Sequence, residues 1–283
     1  VGHSPDADDA FMFFALAKKL VTIDGYDDVD HVMEDIESLN HRALEGELDV
    51  TAISAAVYPL VADKYRIMGC GASVGRDYGP ILLAKTDATL DDLAGKRIAV
   101  PGTHTTAYLL LRLYMTEPFQ PVMLPFDTIM GAVESGEVDA GVIIHEGQLT
   151  WADSGFKKIL DLGEAWMADT GLPIPLGLDV INRRLGDDRH VVITEGMEKS
   201  IRHARDNEEE AIDYALEFGR GIDRDTCRRF VRMYVNEDTV NMGEEGKRAL
   251  EILYGRASER GILPSLPSDP ATGAPLLDIV GLK

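Results

Sequence analysis

The most reactive arrangement of residue types in this chain lies at positions 139–150, Asp-Ala-Gly-Val-Ile-Ile-His-Glu-Gly-Gln-Leu-Thr. Small and branched apolar residues over 140–144 predict a buried strand, which breaks off at His145-Glu146-Gly147. An imidazole therefore stands at the carboxyl end of a strand, where open α/β sheets hold their ligands. Histidine has the unperturbed pKa nearest neutrality, so at such a place it can take or give a proton. The alternative is a histidine that only hydrogen-bonds its own loop. Glu146 adjoins it, but neighbours at a strand end point to opposite faces, which makes Glu146 a turn residue or an outer support.

A second chemical feature is Pro101-Gly102-Thr103-His104-Thr105-Thr106, which follows a strand ending at Val100 and leads into a helix over 107–114. Hydroxyls and unpaired backbone N–H groups converge at such a helix start, an arrangement that binds anions. The competing role for these threonines is ordinary helix capping. Asp6, Asp8 and Asp9 open another helix, where they either favour its positive end or bind sugar hydroxyls. His3 and His104 sit near strand ends but lack metal-ligand spacing, so no metal site is expected. Cys70 and Cys227 are far apart with no CxxC, which points to a reducing, cytoplasmic setting without a structural disulfide. Trp151 and Trp166 belong either to a cleft wall or to the core.

Strand-like and helix-like segments alternate through the first 180 residues, the pattern of largely parallel sheets flanked by helices. Val1-Gly2-His3 ends a first strand, and residues 8–20 read as a helix with Phe11, Phe14, Ala15 and Lys18 at helical spacing. Two later segments repeat each other. Leu44-Glu-Gly-Glu-Leu-Asp49 leads into Val50-Thr-Ala-Ile-Ser54, and Val133-Glu-Ser-Gly-Glu-Val-Asp139 leads into the strand before His145. Each is followed by a basic-apolar stretch, at 64–68 and 156–160. Matching flanks on both sides imply a duplication, with Ser54-Ala55 and His145 facing each other across a cleft. Residues 192–261 read as charged helices that pack a lobe and carry no chemistry, and the tail closes on a strand near 278–280.

At 283 residues the chain is long enough for two lobes. Hydrophobic content of 45% and charged content of 27% are those of a globular protein. No apolar run approaches the roughly 20 residues a membrane-spanning helix needs. Net charge is −21. That field repels phosphate backbones, which argues against nucleic acid as a partner. An anionic small ligand would need local donors in its pocket.

Taken in order, several blocks carry a family resemblance. They are Ser4-Pro-Asp-Ala-Asp-Asp-Ala-Phe-Met-Phe13, Asp49-Val-Thr-Ala-Ile-Ser54, Cys70-Gly-Ala-Ser-Val-Gly75 and Val100-Pro-Gly-Thr-His-Thr-Thr-Ala107. Ile143-Ile-His-Glu-Gly147, Asp161-Leu-Gly-Glu164 and Thr170-Gly-Leu-Pro-Ile-Pro-Leu-Gly177 follow. Across residues 2–185 they resemble the 1,4-dihydroxy-6-naphthoate synthase family of the futalosine route to menaquinone. The resemblance implies a two-lobed, periplasmic-binding-protein-like (type II) α/β fold with the ligand between lobes. Residues 1–84 and 176–283 would form one lobe and 85–175 the other, hinged near 171–177. It also implies cleavage of cyclic dehypoxanthinylfutalosine to 1,4-dihydroxy-6-naphthoate and a three-carbon sugar fragment, a lyase reaction needing no cofactor. His145 takes the family's proton-acceptor position. The substrate-contact positions fall on Ser54, Ala55, Ala56, Thr105, Thr106 and Ala107, with Asn40 and Ser4 also at the cleft.

The chain departs from that pattern twice. Family members commonly read Ser-Pro-Cys-Pro-Asn-Asp where this chain has Ser4-Pro-Asp-Ala-Asp-Asp9, and a further glycine follows Pro-Leu-Gly where this chain has Leu178-Asp179. Two other functions use related scaffolds. A solute-binding protein for a small organic anion would share the lobes and anion sites without catalysis. Chorismate dehydratase is not expected to carry the His-Glu-Gly block. The sequence does not set the oligomeric state.

Overall fold

The computed structural model describes residues 1–145, 147–219 and 221–283. The chain starts a first sheet with β1 (Gly2–His3), β2 (Val32–Met33), β3 (Val50–Ser54), β4 (Tyr65–Met68) and β5 (Ser73–Gly75). It then crosses to a second sheet made of β6 (Ile81–Ala84), β7 (Arg97–Val100), β8 (Gln120–Met123), β9 (Ala140–Ile143) and β10 (Lys157–Asp161). It returns through β11 (Ile174–Asn182) and ends at β12 (Ile279–Val280). Residues 81–84, expected at the end of the first lobe, thus pair in the second sheet.

The spatial order is β2-β1-β3-β11-β4-β12 in one sheet and β8-β7-β9-β6-β10 in the other. β5 pairs with β11 off this path. The expected parallel pairing holds for β1 with β2 and β3, for β7 with β8 and β9, and for β12 with β4. The strands that carry the chain between sheets run the other way: β11 is antiparallel to β3 and β4, and β6 is antiparallel to β9 and β10. Both sheets are therefore mixed, because a strand entering from the opposite lobe arrives head-on.

The two repeated segments occupy matching places. β3 and β4 flank β11 just as β9 and β10 flank β6. Both repeats begin with a helix that ends at a left-handed glycine, Gly46 at φ 72° and Gly136 at φ 78°. Only glycine adopts that conformation without steric cost, which explains the shared Gly-Glu-apolar-Asp turn.

The helix Ala7–Ala17 is buried along nearly its whole length, including Phe11, Met12, Phe13 and Phe14. It packs against the helices Asp187–Asp206, Glu208–Leu216 and Arg224–Tyr234. A helix apolar on every side must be surrounded, and the charged C-terminal helices surround it with their apolar faces. Their role as packing for the first sheet fits the sequence expectation. Trp166 lies in the core, fully buried, with its Nε1 donating to the Pro173 carbonyl at 3.0 Å. Trp151 packs at the edge of a cluster under the second sheet and does not line the cleft.

Candidate active site

A cleft opens between the ends of the two sheets. Its walls include Ser4, Ser54, Thr105, Thr106, Ala107 and His145, so six of the expected positions meet in one place. They come from four separate strand ends and helix starts, those after β1, β3, β7 and β9.

On the first-lobe wall, β3 delivers Ser54 and the chain turns at once into a short 3-10 helix, Ala55–Val57. Asn40 holds this corner from behind and does not itself line the cleft. Its Oδ1 accepts the Ser54 N–H at 2.8 Å and its Nδ2 donates to Ser54 Oγ at 3.1 Å. Ser54 Oγ thereby spends an acceptor site on Asn40 and keeps its proton for the cleft. Ala55 and Ala56 are buried and sit behind the surface; the Ala56 N–H donates to Thr106 Oγ1 at 3.2 Å, tying this wall to the other lobe.

The helix Thr106–Tyr114 starts as the sequence suggested, and capping decides what its hydroxyls do. Thr105 Oγ1 donates to the Gly102 carbonyl at 2.9 Å and accepts from the Tyr108 N–H at 3.2 Å. Thr106 Oγ1 donates to the Leu176 carbonyl at 2.7 Å while accepting from Ala56. Both threonine hydroxyls are committed within the protein. What this helix offers a ligand is the amide dipole at its first turn, beside Thr106 and Ala107.

In the same lobe, beyond the end of β9, stands His145. It is one of three non-glycine residues with positive φ among the described residues, at 58°, so the strand ends in a left-handed bend. Histidine tolerates that region better than bulky side chains do, and backbone outliers of this kind gather at functional sites. The His145 carbonyl accepts the Gln148 N–H at 3.0 Å and so starts the helix Gly147–Thr150. Its ring meets the Phe126 ring edge-on, with centroids 4.5 Å apart. Its Nδ1 lies 3.3 Å from Asp6 Oδ2, and the histidine side chain is 16% exposed. Glu146, read from sequence as a turn residue or outer support, lies outside the described residues.

The Asp6 carboxylate reaches His145 from the turn after β1, where Ser4 Oγ donates to the same Oδ2 at 2.7 Å. The Ser4 N–H donates to Asp9 Oδ2 at 2.6 Å. Asp8 and Asp9 are buried at the helix start, and both line the cleft. Burial pushes the Asp9 carboxyl up to about 7, opposed by the Ser4 N–H and reinforced by the neighbouring Asp6 charge. Burial and the Asp9 and Asp6 charges raise Asp8 well above the carboxylate range. Burial, with Asp9 adding to it, does the same to Asp179. Asp179 packs on Gly71, where any side chain would collide with its carboxylate. The second departure from the family pattern is thus a buried acid set behind the cleft floor.

Sequence reasoning missed part of this site. Phe230 and Tyr234 line the cleft from the helix Arg224–Tyr234, in a region read as carrying no chemistry. Tyr234 Oη donates to Gln148 Oε1 at 2.6 Å. Burial raises the Tyr234 hydroxyl well above its ordinary range, so it stays a donor. Nothing in the sequence links residues 86 positions apart. The two histidines considered for a metal are separate. His3 stacks on Phe13 at 4.4 Å and its Nε2 is 3.1 Å from His31 Nδ1, while His104 pairs with Glu37.

Two mixed sheets joined by reciprocal crossing strands, with a cleft at their ends, define the periplasmic-binding-protein fold. An alkanesulfonate-binding protein from Xanthomonas axonopodis shares it at TM-score 0.67, covering 93% of each chain at 15% identity, a likeness of fold alone. Residues 1–259 match the family described as menaquinone biosynthesis. A relative in Thermus thermophilus named 1,4-dihydroxy-6-naphthoate synthase is 39% identical over 267 residues, which is 94% of this chain and 96% of that one. A solved structure from Archaeoglobus fulgidus is 49% identical, with TM-score 0.88 over 93% of this chain and 97% of the other. The chain belongs to the 1,4-dihydroxy-6-naphthoate synthase family, and with it to the enzymes of menaquinone biosynthesis. Among the described residues, no helix is long and apolar enough to cross a membrane.

Proposed function

We propose that the protein is a carbon–carbon lyase of the cytoplasm that converts cyclic dehypoxanthinylfutalosine to 1,4-dihydroxy-6-naphthoate, with His145 as general base. One observation supports this reading: the imidazole of His145, backed by a carboxylate, opens on a cleft that also offers a hydroxyl from the first lobe and helix-start amides from the second. Because Nδ1 faces Asp6, Nε2 is the nitrogen left to accept a proton. It removes the proton of the sugar hydroxyl; the oxygen's electrons form a carbonyl as the adjacent carbon–carbon bond breaks. The bonding pair passes to the ring system that becomes aromatic, which supplies the thermodynamic pull. The three-carbon fragment leaves, and the imidazolium returns its proton.

Asp6 fixes which nitrogen acts, while Ser4 fixes Asp6. The substrate carboxylate is a match for Ser54 Oγ and the amides at Thr106 and Ala107, the local donors that a protein of charge −21 needs. Asp8 and Asp9, held toward their neutral forms by burial, can face sugar hydroxyls without repelling that carboxylate at long range. The lobes close over the substrate, with residues 171–177 as the return hinge.

The test is direct. Purified protein is incubated with cyclic dehypoxanthinylfutalosine and the naphthoate product is followed by chromatography, with His145→Ala as control. Absence of product from the wild type sinks the reaction. An undiminished rate in His145→Ala sinks the role of His145 and leaves the reaction standing. Saturable binding of the substrate without turnover would favour a solute-binding protein.

A further inference from the structure

At the rim of the cleft, Glu37, His41 and His104 form the one group among the described residues placed to give three ligands to a single metal ion. We infer that these three side chains are a divalent transition-metal site, zinc being the ion they fit best, and that the metal clamps the two lobes together. Glu37 and His41 stand one turn apart on the helix Ile36–Glu45 of the first lobe. His104 comes from the loop between β7 and the helix Thr106–Tyr114, in the second. Residues next to them in sequence, Ile36 and Thr105, line the cleft, so the site spans its edge.

The geometry is close to that of a bound ion. Glu37 Oε1 lies 2.9 Å from His104 Nδ1 and 3.7 Å from His41 Nε2, and the three ligand atoms all fall within 4.8 Å of one another. Around a tetrahedral zinc, with bonds of about 2.0–2.2 Å, neighbouring ligand atoms stand roughly 3.3–3.5 Å apart. The adjustment falls mainly on His41, whose side chain is 60% exposed. Its ring already meets the His104 ring edge-on, centroids 4.9 Å apart. Two imidazole nitrogens aimed at one carboxylate oxygen need a bridging proton each, and a divalent cation replaces both.

The surroundings support the carboxylate as ligand supports usually do. Asn40 Nδ2 donates to Glu37 Oε2 at 3.3 Å, and Thr103 Oγ1 donates to Oε1 at 3.3 Å. A side chain at Gly102 would come within 2.5 Å of Glu37 Cδ, so glycine there lets the carboxylate reach across the gap. Two histidines and one carboxylate select zinc and its neighbours over magnesium or calcium, and they leave a fourth position for water. Since the ligands come from both lobes, metal and cleft ligand each strengthen the other's binding, by linkage.

Zinc is titrated into the full chain by calorimetry, and cobalt is loaded as a spectroscopic substitute. The expected result is one ion per chain, with the strong visible bands of tetrahedral cobalt. His41→Gln and His104→Gln should each weaken zinc by roughly ten-fold or more, and His203→Gln should leave it unchanged. Because His41 is exposed, His41→Gln tests the site without threatening the fold. Zinc binding that is absent, or unaltered in both variants, overturns the site. On adding zinc the radius of gyration should fall for wild type and not for His104→Gln; no fall in wild type overturns the clamp.

Discussion

Ser54 and His145 end the same strand in the two copies of one repeat, yet their surroundings differ in kind. Ser54 sits in extended backbone, buried, with N–H and Oγ both held by Asn40 from its own lobe. His145 sits in strained left-handed backbone, partly open, and its side-chain partner Asp6 comes from the opposite lobe. The Ser54 corner is therefore held within one lobe, whereas the pairing of His145 with Asp6 forms only where both lobes meet. Duplicated elements thus diverge through what supports the strand end, with the strand itself left alone. On the proposed function, the preformed Ser54 corner would meet the substrate first and lobe closure would then set His145 against Asp6.

That contrast can be tested in order of effect. The largest change is expected for His145→Ala, with kcat reduced by about 10²- to 10⁴-fold and KM little altered, measured by steady-state product formation. Asp6→Asn keeps the shape and removes the charge; kcat should fall by roughly ten-fold or more within that range. An equal rise in KM instead would show that Asp6 serves binding and break the contrast. Asn40→Ala strips the partner from a buried N–H and should cost about 1–3 kcal/mol of stability in denaturant titration. Its kinetic signature should be a raised KM at similar kcat, the mirror image of Asp6→Asn.

The acid cluster gives a pH test. Asp9 is raised from 3.8 to about 7 in the folded protein, so its neutral form is the one folding favours. The stability this confers is complete below the unfolded value of 3.8 and is lost as pH rises through about 7. Asp8 and Asp179, raised in the same direction, add to that slope. Asp9→Asn, which keeps an acceptor for the Ser4 N–H, should flatten the decline and raise Tm above neutral pH. A wild type equally stable across that window would show that the buried acids are solvated. The smallest effect is expected at the repeated glycines: Gly46→Ala and Gly136→Ala should each cost about 1 kcal/mol. Similar losses sharpen the match between repeats; a large difference blurs it.

Much of this was legible because it is local. The Gly-Glu-apolar-Asp turns, the strands after them, the helix start at Thr105-Thr106 and the presence of a helix from about residue 8 follow from φ requirements and hydrophobic spacing. Such signals act over a few residues, so one chain suffices to read them. The turn after β1 was visible only as an acidic departure, since nothing local says that Asp6 meets a histidine 139 positions on. The contribution of Tyr234 was invisible for the same reason, as its helix advertises only an amphipathic face.

Sequence alone therefore determined the family, the repeated strand ends and the residue types at the cleft, because each is written in short-range spacing. Tertiary structure decided which groups remain available. It spent the threonine hydroxyls on caps and lobe contacts, placed Asn40 behind Ser54, turned Nδ1 of His145 to Asp6 and buried Asp9 and Asp179. Hydrogen-bond satisfaction and desolvation are properties of the packed whole, and they emerge only when distant segments share one interior.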